Sequence, residues 1–162
     1  MHLFKSLAVA AALSVVSVTP VFAQQPPPPA YGAPMGIEAA KKVMAAAEAE
    51  AKKNNTPMAI AILDTTGSLL MFQKLDTTQT GSVEVAIGKA KTALEFRRPS
   101  KVFQDGLASG GANMRILTLP VVAVEGGLLL LDNGKIVGAI GVSGGTAEQD
   151  GAVAVAGAAV AK

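Results

Sequence analysis

Two short stretches hold residues whose types and spacing could do chemistry. Lys89 and Thr92 stand three apart in a segment of helical periodicity, so they share one face. Arg97 and Arg98 follow at its end, and with Ser100 this group could form a cationic, polar pocket wall for an acidic ligand. The competing reading is a solvated helix end, where cations favour the C-terminal pole of the dipole. The second stretch, Ser143-Gly144-Gly145-Thr146, opens a helix, and its free amides could hold a carboxylate or another anion. The plainer reading is a capped turn that needs glycine for its backbone angles.

Other chemistry is excluded by what the chain lacks. It has 162 residues, no Cys and a single His, His2. Disulfide scaffolds, thiolate zinc sites and cysteine nucleophiles are therefore ruled out. Any metal would fall to carboxylates, carbonyls, hydroxyls, amines or methionine sulfur. Glu148 and Asp150 are two apart, as are Glu48 and Glu50, so neither pair shares a helical face. No metal motif emerges. Basic and acidic residues number 14 and 12 and form no basic block, which argues against a nucleic-acid partner.

Residues 1–23 read as a secretory signal peptide. His2 and Lys5 supply a positive start, Leu7 to Val18 is an apolar run too short to span a bilayer, and Val21-Phe22-Ala23 makes a cleavage site. Cleavage after Ala23 removes His2, so imidazole general bases, His triads and His-ligated zinc go with it. The expected location is the periplasm or the medium, with no membrane span left after cleavage. Residues 24–36 form a proline-rich linker, extended through Pro26 to Pro29. Residues 37–162 are one domain.

The domain's elements follow from periodicity. Ile37 to Asn54 repeats apolar residues at steps of three and four, as a helix does. Met58 to Leu63 and Leu69 to Lys74 are strands joined by the turn Asp64 to Ser68. Ser82 to Phe96 is a second helix stopped by Pro99, and Ser100 to Leu107 a short third one. A glycine-bearing loop covers Ala108 to Asn113, and Thr118 to Glu125 is expected to be a strand held to an edge by Pro120. Leu128 to Leu131 and Lys135 to Val142 flank Asn133-Gly134, a strong hairpin signal. Gly138 and Gly141 within a strand imply a close neighbour. Thr146 and Gln149 fit a capping box at the start of a last helix, Ala147 to Ala161. That helix has almost no polar face beyond Asp150, so it is buried in the domain or between subunits. Hairpins with apolar faces on both sides predict an α+β fold, an antiparallel sheet flanked by helices.

The run from Gly138 to Asp150, GAIGVSGGTAEQD, closely resembles the signature of the GlcG/HbpS family. Asp64-Thr65-Thr66-Gly67 with Asp76, Lys89 to Ala93, Phe96 to Ser100 and Gly126-Gly127 agree in order, so the resemblance covers Ile37 to Lys162. It implies a profilin-like fold, assembly into a homo-oligomer that reaches octamers in several members, and haem as the candidate cofactor. It also implies that Lys89 and Thr92 are retained family positions. Leu129 stands where the family usually has proline. Residues 24–162 offer iron only Met, Lys, Tyr31, carboxylates and hydroxyls, while Phe72, Phe96, Phe103 and Tyr31 could stack on a porphyrin. The expectation is an exported protein that binds a small ligand, haem or a related tetrapyrrole. The alternatives are an enzyme acting on a small organic acid through Lys89, Thr92 and Arg98, and a structural oligomer.

Overall fold

The computed structural model describes residues 27–161. The expected signal peptide, the first residues of the expected linker through Pro26, and Lys162 lie outside the described residues. The elements are α1 Ile37–Lys53, β1 Ala59–Asp64, β2 Leu69–Lys74, α2 Ser82–Phe96 and α3 Lys101–Ala108. A 3₁₀ helix Gly111–Thr118, β3 Gly127–Asp132, β4 Lys135–Ser143 and α4 Ala147–Ala158 complete them.

The four strands form one antiparallel sheet in the order β2-β1-β4-β3. Strand β1 alternates as its sequence demands. Met58, Ile60 and Ile62 face α1 and α4, packing with Val43, Met44, Ala47 and Val153. Ala59, Ala61 and Leu63 face α2, against Ala86, Ala90, Ala93 and Leu94. The α2 side is built of small residues, so that helix lies close on the sheet. A side chain at Gly141 would collide with the Ala86 carbonyl oxygen. This is the close neighbour that a glycine inside β4 implied. The hairpin register steps from Leu130↔Gly138 to Leu131↔Ile136, leaving Val137 as a bulge that turns Ile136 to the α2 side.

Three expectations need correction. Thr118 to Glu125 is not a strand. It continues the 3₁₀ helix and then runs irregularly, because Pro120 has no amide hydrogen, the Val121 and Val124 amides bond local carbonyls, and the Val122 and Glu125 amides find side-chain acceptors. The last helix ends at Ala158, not Ala161. The linker is no free spacer over its second half. Ala30 to Met35 runs beside β4 where β1 has ended, with hydrogen bonds of the Ile136 amide to Ala30, Gly32 to Ile136 and Met35 to Val137. Met35 itself is buried in the core. No helix among the described residues is long and apolar enough to cross a membrane.

Candidate functional site

Lys89 is carried by the inner face of α2 and is only 1% exposed. Its ammonium donates to Asp150 Oδ2 at 2.6 Å and to the Val142 carbonyl at 3.0 Å. A buried cation keeps its charge only with such partners. Asp150 projects from the first turn of α4 and also accepts from the Gly145 amide at 2.9 Å. Burial pushes the Asp150 carboxyl above the usual range, and the bonds from Lys89 and from the Gly145 and Gly144 amides pull against that. Gly126 and Gly127 complete the enclosure. A Cβ on Gly126 would lie 3.0 Å from the Lys89 ammonium, and one on Gly127 would strike the Lys89 carbonyl.

The turn Ser143-Gly144-Gly145-Thr146 is thereby provided with its anion from within. Asp150 takes the Gly145 amide, Gln149 Oε1 accepts from the Thr146 amide at 2.9 Å, and Thr146 Oγ1 accepts from the Gln149 amide at 3.3 Å. The capping box is complete. Ser143 is buried at the end of β4, paired with Ala59.

Thr92 is buried too. Its hydroxyl donates to the Gly88 carbonyl at 2.8 Å and accepts from the Val122 amide at 2.8 Å. Ser100 Oγ likewise donates to the Val124 carbonyl and accepts from the Gly127 amide, while Gln104 Oε1 accepts from the Glu125 amide. These three side chains anchor the irregular segment in place of a strand partner. Lys89 and Thr92 share a face as expected, but that face is closed, so they form no open pocket wall.

The arginines diverge. Arg97 caps α2 in the left-handed conformation, φ +50°, and its guanidinium lies 5.9 Å from the Tyr31 ring centre. Tyr31 in turn donates its hydroxyl hydrogen to the Leu94 carbonyl. Arg98 turns the other way, with its guanidinium 6.0 Å from the Phe103 ring centre and Nε donating to the Phe96 carbonyl at 3.1 Å. Phe96 and Phe103 meet edge to face. There Arg98 overlooks an open cleft of about 400 Å³ between α3 and the 3₁₀ helix. Phe96, Val102, Phe103, Ile116 and Leu119 give it apolar walls, and Arg98, Arg115 and Asn113 give it polar ones.

The model of the family described as haem degrading protein HbpS-like matches residues 35–159. The chain belongs to that HbpS-like family. Protein GlcG of Escherichia coli K12 is 36% identical over 105 residues, which is 64% of this chain and 77% of that protein. A crystal structure of a Streptomyces reticuli HbpS double mutant is 27% identical, with a TM-score of 0.71 over 93% of this chain and 98% of that one. A crystal structure of a PduOC–haem complex is 25% identical, with a TM-score of 0.71 over 78% of this chain and 94% of that one.

Within the HbpS-like fold, the signature run places Gly138 against Leu63 of β1, Gly141 against α2, and Gly144 and Gly145 with their amides toward Asp150. Leu129, at the family's usual proline position, lies on the edge strand β3 opposite Ala139 and packs with the α2-side core. An edge strand accepts either residue. Sequence reasoning missed Asp150 as the partner of Lys89, although an acid in an otherwise apolar helix was a signal. It also missed Asn113, at the end of a segment read as loop, and Arg115, which follows in a stretch assigned to no element. A second cleft, about 520 Å³, lies between the ends of α1 and β2. It sets Lys52 and Lys74 against Glu48 and Asp76, and holds none of the residues expected from the sequence to bind the ligand. No group of three or more acidic, His or Cys side chains is placed to hold a metal among the described residues.

Proposed function

We propose that this chain is an exported, oligomeric protein that binds haem or a related tetrapyrrole in the cleft between α3 and the 3₁₀ helix. The carrying observation is the cleft itself, an aromatic and aliphatic slot with two guanidinium groups, in a chain of the HbpS-like family. A porphyrin needs an apolar slot for its ring and cations for its two propionates. Phe96, Phe103, Ile116 and Leu119 fit the first need, and Arg98 and Arg115 the second. When bound, haem would supply redox-active iron. The residues of this chain bind and orient it, and the cleft walls keep one side of the ring from water. An organic-acid enzyme acting through Lys89, Thr92 and Arg98 is disfavoured by the burial of Lys89 and Thr92.

Export is supported by the sequence pattern of residues 1–23. Assembly with further copies is supported by α4, whose outward residues Ala152 and Val155, with Ala159 just beyond its end, are exposed and apolar. The test of binding is a haem titration followed at the Soret band. A saturable, stoichiometric shift is expected. Arg98→Ala should weaken it by about tenfold or more, the value of one charge-assisted bond. An unsaturable shift, or one indifferent to Arg98→Ala, would remove the cleft from consideration.

A further inference from the structure

We infer that the cleft recognises a tetrapyrrole by its ring and its carboxylates and not by its metal, so that metal-free porphyrin dicarboxylates are ligands on equal terms with haem. The inference rests on the reading that haem occupies this cleft. The lining offers no imidazole, thiolate or thioether, the side chains that make strong bonds to haem iron. Its nearest polar alternatives are the Asn113 amide and the guanidinium groups, and a guanidinium has no lone pair to give.

The carboxylate side, by contrast, is built in advance. Arg98 Nε is engaged by the Phe96 carbonyl and its guanidinium plane is braced over Phe103. That leaves its two terminal amino groups without a protein partner among the described residues, on a side chain that lines the cleft, and such a fork can bind a carboxylate through two bonds. The Arg115 guanidinium, carried by the 3₁₀ helix and lining the same cleft, has no ion-pair partner among the described residues. The apolar walls interact with the porphyrin face, which is the same with or without a central metal. Nothing in the lining therefore distinguishes haem from its metal-free counterpart, and both arginines distinguish a dicarboxylate from a neutral ring.

The experiment titrates the full chain in parallel with haem, protoporphyrin IX and protoporphyrin IX dimethyl ester, by Soret absorbance and porphyrin fluorescence. Arg98→Gln and Arg115→Gln are carried alongside; both side chains lie at the surface, and circular dichroism checks the fold. The expected result is a protoporphyrin Kd within about threefold of that for haem, with the ester and each variant weaker by about tenfold or more. Haem binding with protoporphyrin weaker by about tenfold or more would overturn the inference and leave the haem reading standing. Failure of both ligands would overturn the haem reading itself. Binding of both, indifferent to esterification and to the arginines, would overturn recognition through the carboxylates.

Discussion

Lys89 illustrates how a residue chosen for chemistry becomes part of the scaffold. Its spacing from Thr92 was legible, since helical periodicity fixes which residues share a face. Its burial was not, because the partner comes from Asp150, 61 positions away. Arg97 and Arg98 show the same limit. Adjacent in sequence, they are sent to opposite sides by one left-handed residue. The Lys89–Asp150 pair leads to a definite expectation. Lys89→Met leaves a buried carboxylate held only by amides and should cost about 3–5 kcal/mol. Asp150→Asn removes the charge facing Lys89 and should also destabilise. The double variant should be less unstable than the two losses added, because neither charge is then left alone. Urea midpoints of the four proteins measure this, and simple additivity would mean that the pair does not couple.

The elements were the most legible level. Strands β1, β2 and β4 and helices α1 and α2 fall within a residue or two of where alternation, periodicity and turn residues put them. The segment after the 3₁₀ helix was illegible for a specific reason. Its long-range backbone bonds go to the side chains of Thr92, Ser100 and Gln104, and no local pattern announces a partner 20 to 30 residues away. Gly141 was legible as a close approach, and its energetic role can be measured. Gly141→Ala drives a methyl into the Ala86 carbonyl and the Ala90 amide of α2. Backbone cannot yield as a flexible side chain does, so a loss of about 1–3 kcal/mol is expected. Gly81→Ala is the matched control. It sits in open space before α2 with φ −61°, and its substitution should be neutral or stabilising by about 0.4–1 kcal/mol. Equal losses at both positions would show that replacing glycine as such, not contact with α2, sets the cost.

At the scale of the molecule, hairpins and doubly apolar strands were enough to read a covered antiparallel sheet, but the order β2-β1-β4-β3 required the long pairing of β1 with β4. The last helix shows what the domain leaves unfinished. Read as apolar all round, it had to be buried in the domain or between subunits. The fold does the first on one side only. Val153, Ala154 and Gly157 face the core, whereas Ala152, Val155 and Ala159 face outward and Val155 is 59% exposed. A stripe at these spacings is the pattern of a helix that expects a partner, and a second copy of this chain is the proposed one. Val155→Glu tests it without disturbing the core. Light scattering should give an oligomer for the parent and a monomer for the variant. The melting temperature of the parent should rise with protein concentration, as mass action requires, while that of the variant should not. The two should converge on dilution, because an exposed valine contributes little to the isolated domain. A parent that is monomeric, with a melting temperature independent of concentration, would mean that the outer face of α4 is surface and nothing more.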